Sequence, residues 1–173
     1  MTDATESPEI AMIAAVAQNG VIGNNGDIPW YYPADLDHFK QVTTGHPVIM
    51  GRRTYDGIVD GLGGPLPDRT SVVLSRSALS LPAGAVHADG VETAVETAAT
   101  DAAARDVDTI YVAGGESVYE LFLGQADRLV LTEVHQEYEG DTRFPAFDQG
   151  DWTETTREDH EEFSFVTYER RRE

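Results

Sequence analysis

Asp35 is the first residue of the chain whose surroundings suggest chemistry. It opens the stretch Pro33-Ala34-Asp35-Leu36-Asp37-His38-Phe39-Lys40, just after Gly23-Asn24-Asn25-Gly26-Asp27 and Ile28-Pro29-Trp30. Gly, Asn and Asp tolerate positive φ, so Gly23 to Asp27 should be a mobile surface loop. Ile28-Pro29-Trp30 places large apolar groups, stiffened by proline, beside that loop. Pro33 suits the first turn of a helix, where its missing N–H costs nothing. Asp35, Leu36 and Phe39 then share one face, because residues three or four apart are neighbours. These features describe a carboxylate among apolar groups, beneath a lid. The alternative is ordinary helix decoration, since an acid in the first turn is favoured by about 0.3–1 kcal/mol through the helix dipole. Asp35 alone does not decide between them.

Three further segments point to anion binding. Val48-Ile49-Met50-Gly51 reads as a buried strand running into Arg52-Arg53-Thr54, where a glycine exit, a helix start and two arginines meet. Unpaired N–H groups and the dipole at a helix start attract anions, and arginines add charge. Thr109-Ile110-Tyr111-Val112-Ala113 leads in the same way into Gly114-Gly115-Glu116-Ser117-Val118-Tyr119. Leu74-Ser75-Arg76 closes a third strand. One strand–glycine–helix junction is a weak signal, but two on one sheet, with a serine and an arginine at a third strand end, suggest a dinucleotide across strand C-termini. The GxGxxG fingerprint is absent, so a Rossmann domain is not indicated.

The elements that must position these groups alternate between strand and helix. Strands are expected at Glu9–Ala17, Val21–Ile22, Pro47–Gly51, Thr70–Ser75, Ala85–Ala88, Thr109–Ala113, Arg128–Val134, Trp152–Glu158 and Phe163–Arg170. Helices are expected from Pro33 to about Thr43, from Arg52, over Val91–Arg105 and after Gly115. Asp60 to Pro67 reads as a turn-rich loop, Tyr138 to Pro145 as a connecting loop, and Arg170-Arg171-Arg172 as a solvated tail. The fold class is α/β: a mixed, mostly parallel sheet of about eight strands, with an antiparallel C-terminal edge and about four helices. Nothing suggests a second domain, so residues 1–173 are expected to form one, with 1–8 as a polar lead-in.

Composition excludes several functions. No apolar run reaches the length of a membrane span. The chain has no cysteine, which removes disulfides and thiolate metal sites and suits a cytoplasmic protein; no metal is expected. Asp and Glu number 31 against 12 basic residues, for a formal charge of −19, and Lys40 is the sole lysine. That charge repels nucleic acid. The acids are spread along the chain rather than blocked in a tail, which indicates adaptation to high salt and hydrated cations at the surface.

With these residues assembled, the chain resembles dihydrofolate reductase from about Ile10 to Glu169. The resemblance rests on ordered motifs: Ile13-Ala14-Ala15, Val21-Ile22-Gly23, Ile28-Pro29-Trp30, Pro33-Ala34-Asp35-Leu36 with Phe39-Lys40, and Val48 to Thr54. It continues through Pro65-Leu66-Pro67 with Arg69, Val73 to Arg76, Gly114-Gly115, Val118-Tyr119, Leu131-Thr132 and Gly140-Asp141-Thr142 with Phe144-Pro145. It implies NADPH-dependent reduction of 7,8-dihydrofolate by hydride transfer to pterin C6 with protonation at N5, in a protein expected to be a monomer.

On the same resemblance Asp35, Thr132 and Trp30 form the catalytic group, with Asp35 bonding the pterin and Thr132 supporting it. Ala14, Leu36, Phe39, Ile58 and Leu66 wall the substrate, and Arg69 takes the glutamate α-carboxylate. Gly51, Arg52, Arg53, Thr54 and Gly114 to Tyr119 hold the pyrophosphate and ribose. Arg53, Ser75 and Arg76, after Leu74, take the 2′-phosphate. Ala15, Val21, Ile22 and the Gly23–Trp30 loop, with Asn24, Asn25, Gly26 and Asp27, close over the nicotinamide. The chain departs from the family pattern at Glu116, where a glycine is common, at Ala113, which is small, and at Asp60 to Gly64, which reads as an insertion. His38, next to Asp35 on the helix surface, offers a conceivable proton donor, though a solvent-facing histidine is the commoner case.

Overall fold

A computed structural model describes residues 8–24 and 28–171. In chain order the strands are β1 (Glu9–Val16), β2 (Val21–Gly23), β3 (Pro47–Gly51), β4 (Thr70–Leu74), β5 (Ala85–Ala88), β6 (Thr109–Val112), β7 (Arg128–Val134), β8 (Thr142–Arg143), β9 (Trp152–Asp159) and β10 (Phe163–Arg170). The helices are α1 (Pro33–Thr43), α2 (Arg52–Leu62), α3 (Val91–Arg105) and α4 (Glu116–Phe122). Eight strands form one sheet in the order β5-β4-β3-β6-β1-β7-β10-β9. Pairing is parallel from β5 through β7, and only β10 runs antiparallel to its neighbours β7 and β9.

The apolar runs form central strands because both of their faces are covered. Successive side chains point to opposite faces, so Met12, Ile49, Val72, Ile110, Val112 and Leu131 enter one core with Phe122. Ala94 and Ala98 of α3 join that core, Ala102 of the same helix is also buried, and these small side chains let the helix lie close to the sheet. Ala11, Ile13, Val48, Met50, Val73 and Tyr111 enter the opposite core, covered by Phe39 and Val42 of α1 and by Tyr55, Ile58 and Val59 of α2.

Three expectations are corrected. Helix α2 continues through Asp60-Gly61-Leu62, which the sequence placed in a loop. A glycine inside a helix costs only about 1 kcal/mol relative to alanine, so Gly57 and Gly61 are carried within α2, which ends only at Gly63, with φ of 83° in the left-handed region. The 138–145 connection is not a plain loop, because β8 pairs with β2 in a separate two-stranded ribbon. Gly140 is required there: a Cβ would collide with the Val21 side chain and the Gly23 carbonyl. Finally, Arg170 is not a solvated tail residue. It donates from Nε to the Ala126 carbonyl at 2.8 Å and from Nη2 to the Leu123 carbonyl at 2.6 Å, with Cζ 4.5 Å from the Trp152 ring centroid.

Candidate active site

Strand register assembles the site. β1 pairs Ala15 with Thr132 of β7 and Met12 with Val112 of β6; β3 pairs Ile49 with Val112 and Gly51 with Leu74 of β4. The carboxyl ends of these parallel strands therefore lie along one edge, bringing Ala14, Ala15, Thr132, Ala113, Gly114, Gly51, Leu74 and Ser75 to the same rim.

Asp35 reaches that rim from α1. The helix starts at Pro33 without a side-chain cap, and the Asp35 amide donates to the Tyr32 carbonyl at 2.9 Å. Its carboxylate turns inward, where Thr132 Oγ1 donates to Oδ1 at 2.6 Å. Burial pushes the Asp35 pKa above its ordinary value of 3.8, while the Thr132 hydrogen bond and nearby His38 oppose that rise. Decoration is thereby excluded: a solvated first-turn acid has neither a buried donor nor a desolvated carboxyl.

Trp30, in the segment that leads into α1, is half-buried. Its indole N–H is buried and has no hydrogen-bond partner among the described residues. The ring packs on Tyr138 at 5.0 Å, and the Tyr138 hydroxyl lies 3.3 Å from that of Tyr32. Tyr138 was not singled out by sequence; its position two residues before Gly140-Asp141 was the available signal.

Leu66, Phe39 and Ile58 belong to one apolar cluster with Ile13 and Ala113, so these walls come together. Ala14 packs with the core on the other face of the sheet. Leu36 is 53% exposed and stands outside both cores. Arg69 is only 5% exposed. Its Nε donates to the Pro67 carbonyl at 2.9 Å and its Nη1 to Thr43 Oγ1 at 3.0 Å, and no carboxylate among the described residues pairs with it. Burial lowers the Arg69 pKa and Asp68 opposes the shift. A buried arginine unpaired in so acidic a chain leaves its charge for an external carboxylate.

The glycine junctions meet at Gly51, whose amide donates to the Gly114 carbonyl at 2.9 Å. The Gly114–Gly115 peptide is cis, and Gly114 has φ of 118°. A Cβ on Gly51 would approach Val118 Cγ2 at 3.1 Å, and one on Gly114 would meet the Tyr119 hydroxyl at 3.4 Å. Val118 and Tyr119 are buried and build this junction from beneath, with the Tyr119 hydroxyl donating to the Ile13 carbonyl at 2.6 Å. Glu116 accepts the Arg143 amide at 2.8 Å, so its carboxylate is tied to β8.

Arg53 and Arg76 are exposed and have no ion-pair partner among the described residues, whereas Arg52 pairs with Asp56 at 3.7 Å. Ser75 lies beside Arg76, half-buried, and Thr54 and Ser117 lie at the two helix starts. Val21 is fully buried, Ala15, Ile22, Gly23 and Asn24 are half-buried, and Asn25, Gly26 and Asp27 lie outside the described residues. A backbone cradle that is tightly packed at Gly51 and has positive φ at Gly114, flanked by arginines with no ion-pair partner among the described residues, fits a phosphate-bearing dinucleotide.

Comparison with known proteins agrees with this geometry. The family model described as dihydrofolate reductase matches residues 9–170. The chain belongs to the dihydrofolate reductase family. It is 53% identical over 170 residues to dihydrofolate reductase HdrB of Haloferax volcanii, covering 98% of this chain and 88% of that protein. It is 40% identical to dihydrofolate reductase 1 of Haloarcula marismortui, covering 93% and 91% respectively. Among solved structures it resembles dihydrofolate reductase from Enterococcus faecalis complexed with NADP(H) and RAB-propyl, with a TM-score of 0.79, 29% identity and coverage of 94% and 96%. The reaction is the NADPH-dependent reduction of dihydrofolate, and the relatives from halophiles accord with the acidic composition.

Proposed function

We propose that Asp35 is the anchor of the pterin ring, and that hydride reaches C6 while N5 takes a proton. The observation that carries this reading is the 2.6 Å bond from Thr132 to a carboxylate whose pKa burial has raised. Two carboxylate oxygens match the paired donors of the pterin, N3–H and the 2-amino group. With Oδ1 accepting from Thr132, the carboxylate is restrained in orientation, which would help to position the ring before chemistry begins. Its negative charge favours the protonated, more electrophilic pterin without Asp35 itself delivering the proton. Trp30 would offer its buried, unpartnered N–H, and Phe39, Ile58 and Leu66 would supply apolar surface for the aromatic rings.

NADPH, when bound, supplies the hydride. Gly51 to Thr54 and Gly114 to Tyr119 would hold its pyrophosphate and ribose, and Arg53, Ser75 and Arg76 its 2′-phosphate. Ala15, Val21, Ile22 and the Gly23–Trp30 segment would exclude water from the nicotinamide. Arg69 would take the glutamate α-carboxylate of the substrate. The chain acts as a cytoplasmic, single-domain monomer with hydrated cations at its acidic surface.

The test is NADPH oxidation by the purified protein with dihydrofolate in molar KCl. Turnover in the parent and its collapse in Asp35→Asn, with NADPH still bound, is the expected result. Asp35→Asn turning over at the parent rate removes Asp35 from the reaction.

A further inference from the structure

His38 does not face solvent as its sequence position suggested. It lies one turn along α1 from Asp35, half-buried, with its ring stacked on Phe165 at 3.9 Å and 14°. Phe165 is the register partner of Thr132 across β10 and β7, and Thr132 is the donor to Asp35. Helix and sheet therefore hold the imidazole and the carboxylate on two arms of one frame. The His38 Nε2 atom is buried and has no hydrogen-bond partner among the described residues. An orphaned buried polar atom opposes folding, and an apolar ring would fill the stack without that cost. What the imidazole adds is a site for a proton.

We propose that His38 is a positioning residue for the known reaction: held against Phe165, it keeps a protonatable ring beside Asp35 and sets the acid limit at which that carboxylate stays charged. The proposal rests on Asp35 being the pterin anchor.

The surrounding charges leave this coupling direct. On α1 itself, Asp35 and Asp37 flank His38. From the β9–β10 hairpin, Arg157, Glu158 and His160 line the same groove. Glu158 is engaged by His160, with Nε2 and Oε2 2.6 Å apart, and Arg157 is shared among Glu133, Glu154 and Asp159. Asp35 is thus the carboxylate near His38 whose own donor, Thr132, is uncharged. Burial holds the His38 pKa below its ordinary 6.5, with Asp35 and Glu158 opposing, and His38 reciprocally pulls the Asp35 pKa down. The signs agree: proton uptake by His38 favours ionised Asp35, and ionised Asp35 favours proton uptake by His38.

The test has two arms in molar KCl. In ligand-free protein, carbon NMR of the Asp35 carboxyl should give a titration midpoint that moves to higher pH in His38→Phe, which keeps the stack but cannot take a proton. The His38 ring signal should titrate at lower pH in Asp35→Asn, by a matching amount, because coupling between two sites is reciprocal. In stopped-flow hydride transfer, the midpoint of the pH profile should move in His38→Phe in the same direction as the Asp35 carboxyl. Unmoved midpoints in both variants overturn the proposal and leave His38 as a packing residue. Shifted NMR midpoints with an unmoved hydride-transfer profile overturn it too, and place the fault in the role given to Asp35. If His38→Phe fails to fold, the His38 titration in Asp35→Asn decides alone.

Discussion

The two ends of the site are built on opposite principles. At the substrate end, charge is buried and already bonded: Asp35 is held by Thr132, and Arg69 is held by Thr43 and the Pro67 carbonyl. At the cofactor end, Arg53 and Arg76 stand exposed and without ion-pair partners among the described residues, and the rigid part is the backbone around Gly51 and Gly114. One end selects by fixed geometry in a low dielectric, the other by charge in water. The difference is sharpest in salt. At molar ionic strength the screening length shrinks to about 3 Å, so exposed arginines act only in contact with a phosphate, while the buried pair is little affected.

Three substitutions test that contrast. The largest effect should come from Asp35→Asn, with hydride transfer slowed on the order of 10²–10³-fold, as when a positioned electrostatic group is lost. The same change should raise the melting temperature at neutral pH. Because burial raises the folded-state pKa of Asp35, the folded protein holds more protons than the unfolded chain above pH 3.8, and this group's contribution falls as pH rises through the folded value. The gain of Asp35→Asn over the parent should therefore shrink as pH approaches 3.8 in calorimetry run in molar KCl. A variant melting below the parent at neutral pH would contradict the sign of that shift.

Arg69→Leu comes next. Removing a buried guanidinium from a carboxylate costs about 2 kcal/mol or more, so KM for dihydrofolate should rise roughly thirtyfold with kcat much less changed. The increase should be nearly the same at low and high KCl. The smallest effect is expected from Arg76→Leu: KM for NADPH should rise up to about tenfold with KM for NADH unmoved, because one exposed charge-assisted contact is lost. That increase should diminish as KCl is raised. If Arg69→Leu were the salt-sensitive variant and Arg76→Leu the insensitive one, the two ends would have been assigned the wrong way round.

Much of this arrangement was legible before the structure. The helix start at Pro33 and the glycine exits at Gly51 and Gly114 are local, so residue types alone marked them, whereas Gly23, read as the start of a loop, ends strand β2. Asp60 to Leu62 misled because Gly61, Gly63 and Gly64 read together as a turn, whereas one glycine costs a helix only about 1 kcal/mol and the left-handed stop comes at Gly63. The β2–β8 ribbon could not be read because it joins two short segments of the chain, with no periodic pattern in either. The burial of Arg69, the stacking of His38 and the clamp made by Arg170 share that cause. Each depends on a partner brought near by the sheet, and no local pattern records it.

Strand β9 leaves one long edge of the main sheet uncovered, and every residue from Thr153 to Asp159 is exposed. Such an edge is a template on which a second chain can pair and start aggregation. In dilute buffer the overall negative charge would hold copies apart, but molar salt removes that protection while strengthening apolar association. The barrier must then be local. Along the edge, Glu154 stands between Thr153 and Thr155, followed after Thr156 by the charged run Arg157-Glu158-Asp159, and Arg157 is tied to Glu133, Glu154 and Asp159 at 3.0–3.3 Å. A strand arriving at this edge would have to dehydrate a charged lattice to form its hydrogen bonds. The charges of the outer hairpin thus oppose edge-to-edge pairing at the salt concentrations that cancel long-range repulsion.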